Sequence, residues 1–183
     1  MDIPNYVLMT GFPSAGKSSI SNYLRNKLGF AKHSSDDLRE IIFGAVDYLK
    51  FQKDPNFREK ESYIFNQLKK GSLTTLYMGF DTVVDYTARL NVLRSSSLDS
   101  YLIGPDGKKY EIPCKKSLIY IRAEDNVLKE RNLKRGRLND PTSEWRYAGW
   151  DEPSESPNWD LIVYNNNTQH DLEKIFEDID RRF

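Results

Sequence analysis

The densest chemical information in this sequence lies in the segment Gly11-Phe12-Pro13-Ser14-Ala15-Gly16-Lys17-Ser18. Glycine, four residues, glycine, lysine and serine is the spacing with which a backbone cradles phosphate. The glycines let N–H groups converge on a β-phosphate, Lys17 reaches the β- and γ-phosphates, and the Ser18 hydroxyl ligates Mg²⁺. Such a loop works only between a strand and a helix, because the helix start lends its positive end to the anion. Both neighbours are legible. Tyr6-Val7-Leu8-Met9-Thr10 is a short apolar run ahead of the loop, and Ile20, Leu24 and Leu28 recur at helical spacing behind it. The competing reading is an ordinary Gly/Pro/Ser turn with a solvated lysine, and the flanking elements weigh against it. The segment points to binding of a nucleoside triphosphate.

Three further groups bear on how a triphosphate would be used. Asp36, in Ser34-Ser35-Asp36-Asp37, is a carboxylate that can accept the proton of an attacking hydroxyl, a task governed first by geometry. Arg39, one turn later, can hold an anionic acceptor. Their plainer readings are a helix N-cap, worth about 1 kcal/mol, and a solvated arginine, with Asp37 as a competing cap. Asp85 closes the apolar run Thr82-Val83-Val84. Arg131-Asn132-Leu133-Lys134-Arg135-Gly136-Arg137 can close arginines over a transferring phosphoryl group. A basic cluster at a helix C-terminus is equally well explained by the macrodipole.

The elements that must position these groups alternate between strand and helix. Phe30–His33 reads as a second strand, and Leu38, Ile41, Ile42, Ala45 and Leu49 form a helical pattern. Asp54-Pro55 signals a further helix start, with Ile64, Phe65, Leu68 and Leu76 following and a break expected at Gly71. Residues 82–85 make a buried strand, with helical residues from Ala88 to Leu93. Ser117–Ile121 and Leu161–Tyr164 are two more strands, a helix spans Glu124–Lys134, and Thr168 with Asp171 resembles a capping box before a last helix. This order implies an α/β fold: a parallel five-stranded sheet flanked by helices on both faces. The carboxyl ends of neighbouring strands in such a sheet meet at one crevice, so Lys17, Asp36 and Asp85 should converge there. Two stretches depart from the pattern. Residues 97–116 contain a turn, Gly104-Pro105-Asp106-Gly107, between two strand-like segments and read as a small β-hairpin insertion. Residues 135–157 are too long for a simple connection and read as a lid.

At 183 residues the chain fits one domain, 1–183. Lys plus Arg and Asp plus Glu number 27 each, so no long nucleic-acid footprint is announced and a short one is not forbidden. The single Cys114 rules out an intramolecular disulfide, and no apolar run approaches the roughly 20 residues that cross a bilayer. A cytoplasmic location away from membranes is the expectation, and the oligomeric state is left open. Trp145, Tyr147, Trp150 and Trp159 flank the lid, where core packing outweighs base stacking as an explanation. His33 at a strand end reads as packed or solvated, and His170 belongs to a helix start.

In order and spacing, GFPSAGKS at 11–18, SSDDLR at 34–39, DTVVDYT at 81–87 and ERNLKRG at 130–136 resemble the kinase module of the 5′-polynucleotide kinases of RNA repair and the small P-loop kinases built like it. The resemblance implies the P-loop kinase fold and ATP with Mg²⁺ as cofactors. It implies that Gly11, Ser14, Ala15, Gly16, Lys17, Ser18, Ser19 and Arg131 bind the nucleotide. Lys17, Asp36 and Arg135 would carry catalysis, with Asp36 as general base. Arg39, Asp85 and Arg89 would place the acceptor, and Ser18 would hold Mg²⁺, with Asp85 acting through water. Two departures matter. Ala88 follows Thr87 where the family has asparagine, and Ser35 precedes Asp36 where many members have arginine. The implied acceptor is the 5′-hydroxyl of a nucleoside, nucleotide or short nucleic-acid end. A kinase for a non-nucleoside metabolite and a nucleotide-binding regulatory module stand as alternatives.

Overall fold

A computed structural model describes residues 3–44, 48–88, 90–135, 160–166 and 169–183. Strand β1 (Asn5–Gly11) leads through the glycine-rich loop into helix α1 (Lys17–Leu28). Then follow β2 (Ala31–Ser34), α2 (Ser35–Phe43), the short α3 (Tyr48–Phe51) and the long α4 (Phe57–Tyr77). The chain continues with β3 (Thr82–Asp85), α5 (Asn91–Leu98), the hairpin β4 (Tyr101–Ile103) and β5 (Lys109–Glu111), β6 (Lys115–Arg122), α6 (Asp125–Lys134), β7 (Leu161–Tyr164) and α7 (Gln169–Arg182). The strand order is β2-β3-β1-β6-β7, and every neighbouring pair in this sheet is parallel.

Side-chain alternation along the strands divides the core into two layers. Val7, Met9, Val83, Ile119 and Ile121 pack against Ile20 and Leu24 of α1, Leu128 of α6, and Ile175 and Ile179 of α7. Tyr6, Leu8, Val84 and Leu118 face the other way, against Leu68, Leu73 and Leu76 of α4. Helices thus cover both faces, which is why the central strands read as nearly continuous apolar runs. The register carries the site: Asp85 pairs with Met9 on one side and Ser34 on the other, so β2 and β3 end at one level, two residues short of the end of β1.

Several local expectations are corrected. The helix expected to run to Leu49 stops at Phe43, because Gly44 adopts a left-handed conformation (φ 63) and its N–H turns back to the carbonyl of Glu40 at 2.9 Å. Ile41 is 79% exposed and Ile42 is also exposed, since α2 lies at the sheet's edge, packs on α4 and turns Leu38 rather than these two residues toward the core. Helix α4 starts two residues after Pro55 and continues through Gly71 without a break. Gly71 serves close approach instead: a Cβ there would stand 3.1 Å from Nδ1 of His33 on β2. The expected hairpin is present, with Gly104 N–H donating to the carbonyl of Lys108 at 2.9 Å. It joins β6 at Lys115, which pairs with Asn5, so it lies at the opposite end of the sheet from the glycine-rich loop.

Candidate active site

Two glycines shape the loop between β1 and α1. Gly11 has φ 148, and a Cβ there would meet the carbonyl oxygen of Ile121 at 2.4 Å. Gly16 has φ 107, and its Cβ would meet Nδ2 of Asn165 at 2.2 Å. No larger residue fits either place. Gly16 is also the N-cap of α1, and no side chain caps that helix or adds an acidic residue to its first turn. The positive helix start is thus turned toward the cavity without an internal anion, the arrangement that receives phosphate. The ammonium of Lys17 lies over the same loop, donating to the carbonyls of Gly11 (2.8 Å) and Phe12 (3.1 Å). Ser19, exposed on the first turn, donates its N–H to the Gly16 carbonyl at 3.1 Å.

Asp85, only 5% exposed at the end of β3, accepts from the hydroxyls of Ser18 (2.9 Å) and Ser21 (3.1 Å) through one oxygen. A serine hydroxyl beside a carboxylate is a hard-oxygen donor set. It matches the way Mg²⁺ is held by one or two protein oxygens together with water and phosphate oxygens. Among the described residues no cluster of three His, Cys, Asp or Glu forms a self-sufficient metal cage.

Asp36 does not cap α2. That role belongs to Ser34, whose hydroxyl accepts the N–H of Asp37 at 3.2 Å. The Asp36 side chain is 76% exposed and is held by Nη1 of Arg39. Arg39 in turn is 6% exposed, and its guanidinium also grips Glu61 of α4, through Nε at 2.6 Å and Nη2 at 3.4 Å. Arg39 is therefore a buried link between two carboxylates, not a solvated side chain. A cavity of about 610 Å³ has Lys17 and Ser18 on one wall, Asp36, Arg39 and Glu61 on another, and Asp85 between them.

On the far side of the loop, α6 contributes Arg131, Asn132 and Arg135. Arg131 is half-buried and donates to the carbonyls of Ser14 (3.1 Å) and Ala15 (3.3 Å) and to Oδ1 of Asn165 (2.9 Å). Burial, followed by the neighbouring charge of Arg135, lowers the pKa of its guanidinium. Asn165, buried just after β7, returns a bond to the Ala15 carbonyl at 2.9 Å. Arg135 is exposed, lines the cavity, and reaches Oγ of Ser14 at 3.4 Å. Of the residues implied by the resemblance, Ser14, Gly16 to Ser19, Asp36, Arg39, Asp85 and Arg135 share the cavity, whereas Gly11, Ala15 and Arg131 support the loop from outside it. Arg89, the lid beyond Arg135 with its aromatic residues, and Thr168 of the expected capping box lie outside the described residues.

Sequence reasoning missed Glu61, Asn132 and Asn165. Glu61 sits in the run Phe57-Arg58-Glu59-Lys60-Glu61, which reads as a solvated helix face. Asn165 had a usable signal, because it directly follows a strand whose carboxyl end faces the crevice.

Solved structures of this architecture include a candidate kinase from Chloroflexus aurantiacus j-10-fl, 18% identical with a TM-score of 0.69 over 100% of this chain and 97% of that one. The APS kinase CysC of Mycobacterium tuberculosis, in complex with AMPPNP and APS, is 16% identical with a TM-score of 0.65 over 98% of each chain. A chain of the Pnkp1/Rnl/Hen1 RNA repair complex is 19% identical with a TM-score of 0.54 over 74% of this chain and 38% of that one. No family model and no curated protein sequence matches the chain. The chain has the P-loop kinase fold. No described helix is long and apolar enough to cross a membrane.

Proposed function

We propose that this chain is an ATP-dependent kinase that transfers the γ-phosphate to the 5′-hydroxyl of a nucleoside, nucleotide or nucleic-acid end. The observation that carries the reading is the placement of the exposed carboxylate of Asp36, held by Arg39, across one cavity from Lys17 and the uncapped start of α1. A triphosphate cradle alone is common to motors, switches and kinases. A fixed carboxylate facing it supplies the acceptor side.

In this mechanism the α1 N-terminus and Lys17 bind the β- and γ-phosphates, and Ser18 with Asp85 would hold Mg²⁺. The metal, when bound there, would neutralise charge that develops on the triphosphate. Asp36 orients the acceptor hydroxyl and takes its proton as the new O–P bond forms. The bond between the γ-phosphorus and the bridging oxygen breaks, and ADP carries away the electron pair. Arg135, on the open side of the cavity, moves toward the equatorial oxygens as their charge spreads. Arg39 fixes Asp36 and lines the acceptor half, and Arg89 is assigned to acceptor binding on the family resemblance alone. A cytoplasmic location follows from the substrates this reading names.

A second reading, a kinase for a non-nucleoside metabolite, is favoured by one comparison: a sugar kinase from Janibacter sp. HTCC2649 aligns over 97% of this chain and 95% of its own, whereas the RNA repair chain aligns over 38% of its own length. Radiolabelled ATP offered with nucleosides, nucleoside 3′-phosphates, 5′-hydroxyl oligonucleotides, sugars and adenylyl sulfate separates the two. Transfer to the first three classes supports the proposal. Transfer confined to the last two overturns it.

A further inference from the structure

Ser14 stands at φ 67 and is the only described non-glycine residue in the left-handed region. An L side chain is disfavoured there because Cβ crowds the following carbonyl oxygen. Nothing in the sequence of the loop offsets this. The compensation comes from α6, whose last turn directs three side chains at this one residue. The Ser14 hydroxyl donates to Oδ1 of Asn132 at 2.5 Å, Nη1 of Arg131 donates to its carbonyl at 3.1 Å, and Nη1 of Arg135 approaches the hydroxyl at 3.4 Å.

Of these contacts, the one from Asn132 stands out. Arg131 binds a carbonyl that any residue would present, and the bond from Arg135 is the longest. Asn132 bonds the Ser14 side chain itself, and it is 2% exposed, so water has no access to replace it. Its place in α6 is also informative. The other buried residues of that helix are Val127 and Leu128, and Asn132 lies one turn after Leu128, where an apolar side chain would continue the packing. A buried amide on an apolar stripe is retained at a desolvation cost unless it is hydrogen-bonded. Ser14 is one partner of that amide, the hydroxyl donating to its Oδ1.

We propose that Asn132 is a positioning residue for nucleotide binding: it holds Ser14 in the left-handed conformation that sets the path of Gly16, Lys17 and Ser18 around the phosphates. This inference rests on the nucleotide-binding part of the proposed function. It makes the last turn of α6, the root of the segment that continues past Arg135, part of the cradle's own geometry.

The test is a double-mutant cycle read as the Kd of Mg²⁺ with the non-hydrolysable analogue AMPPNP, by titration calorimetry on the full chain. Asn132→Ala raises Kd about fivefold or more when residue 14 is serine, the factor set by the cost of an unsupported left-handed residue. In the Ser14→Gly background the same substitution changes Kd less than about twofold, because glycine occupies that region unaided. A second comparison leaves Asn132 in place. Ser14→Ala binds about fivefold more weakly than Ser14→Gly, since alanine keeps the strain and loses the bond. Equal factors in the two backgrounds, or equal affinities of the alanine and glycine variants, would overturn the inference. A merely structural Asn132 lowers Tm in both backgrounds and leaves the ratio of Kd values at one. If the unaltered chain does not bind the analogue, the nucleotide reading falls and this inference falls with it.

Discussion

Replacing Glu61 by glutamine tests whether the Asp36–Arg39–Glu61 chain serves the reaction or only the fold. Glu61 lies 25 positions from Asp36 in sequence and touches it only through the guanidinium of Arg39. Removing one member of a fully buried ion pair costs about 3–5 kcal/mol. Here the Glu61 side chain is 23% exposed, and Asp36 still faces the arginine, so the loss shrinks to about 1–3 kcal/mol. For a chain of this length that is a fall in Tm of about 2–10 °C, readable by calorimetry. The effect on rate is separate. Glutamine preserves volume but offers Arg39 one neutral acceptor instead of a charged fork, so the guanidinium swings toward Asp36 and moves that carboxylate. A displacement of about 1 Å at a reacting group costs about a hundredfold in rate. We expect kcat to fall by about tenfold to a hundredfold while Kd for Mg²⁺-ATP stays within about twofold, because Glu61 is on α4, across the cavity from the cradle. Single-turnover transfer of labelled phosphate, with binding measured on the same preparation, reads both quantities. A stable variant with kcat within twofold of the parent would refute the reasoning and leave Glu61 as a structural tie. Equal losses of kcat and nucleotide affinity would also refute it.

Three more outcomes follow from the site. Asp36→Asn should reduce transfer by about 10²–10⁴ with ATP affinity retained, and a variant that keeps its rate would remove the carboxylate from proton transfer. Arg135→Ala should lower kcat about tenfold or more and leave acceptor affinity nearly unchanged, measured from full acceptor saturation curves. His33, held near Thr75 at 3.0 Å, has its pKa lowered by burial, so the unfolded chain binds the proton first as pH falls. Its contribution to stability is complete above the ordinary value of 6.5 and is lost as pH drops toward the folded-state value. His33→Gln should therefore flatten the dependence of Tm on pH between about 5 and 7 relative to the parent, and parallel curves would contradict this.

The half of the site built from consecutive residues was the legible half. The cradle, its strand and its helix follow from one uninterrupted stretch, and strand-end logic located Asp85 and Asp36. Asp36 nevertheless has a capping role as its alternative reading, because all four side chains of Ser34-Ser35-Asp36-Asp37 cap well in isolation. Only the backbone position of Ser34, at the end of β2, decides between them. Ile41 and Ile42 misled for a related reason: helical periodicity gives a face but not the neighbour that the face meets, and α2 at the sheet's edge meets solvent. Glu61, Asn132 and Asn165 were out of reach of local pattern, except for the strand-end position of Asn165. Each acts on a residue at least 22 positions away, a relation that depends on how helices and strands cross in space.

The register that aligns Met9, Asp85 and Ser34 divides the molecule into parts that can vary separately. The glycine-rich loop and Asp85, the donor side of the proposed reaction, hang on the central strands β1 and β3, whose ladders lock them on both sides. Under the proposed function the acceptor wall hangs on β2, an edge strand, with α2 beside it and the start of α4 facing them, while the rest of α4 covers one face of the sheet. If the proposed function holds, changes in residues 35–61 would reshape acceptor choice while leaving the nucleotide's seat untouched. On such a frame, the natural place to alter substrate choice by laboratory selection is the periphery, with the sheet's middle held constant.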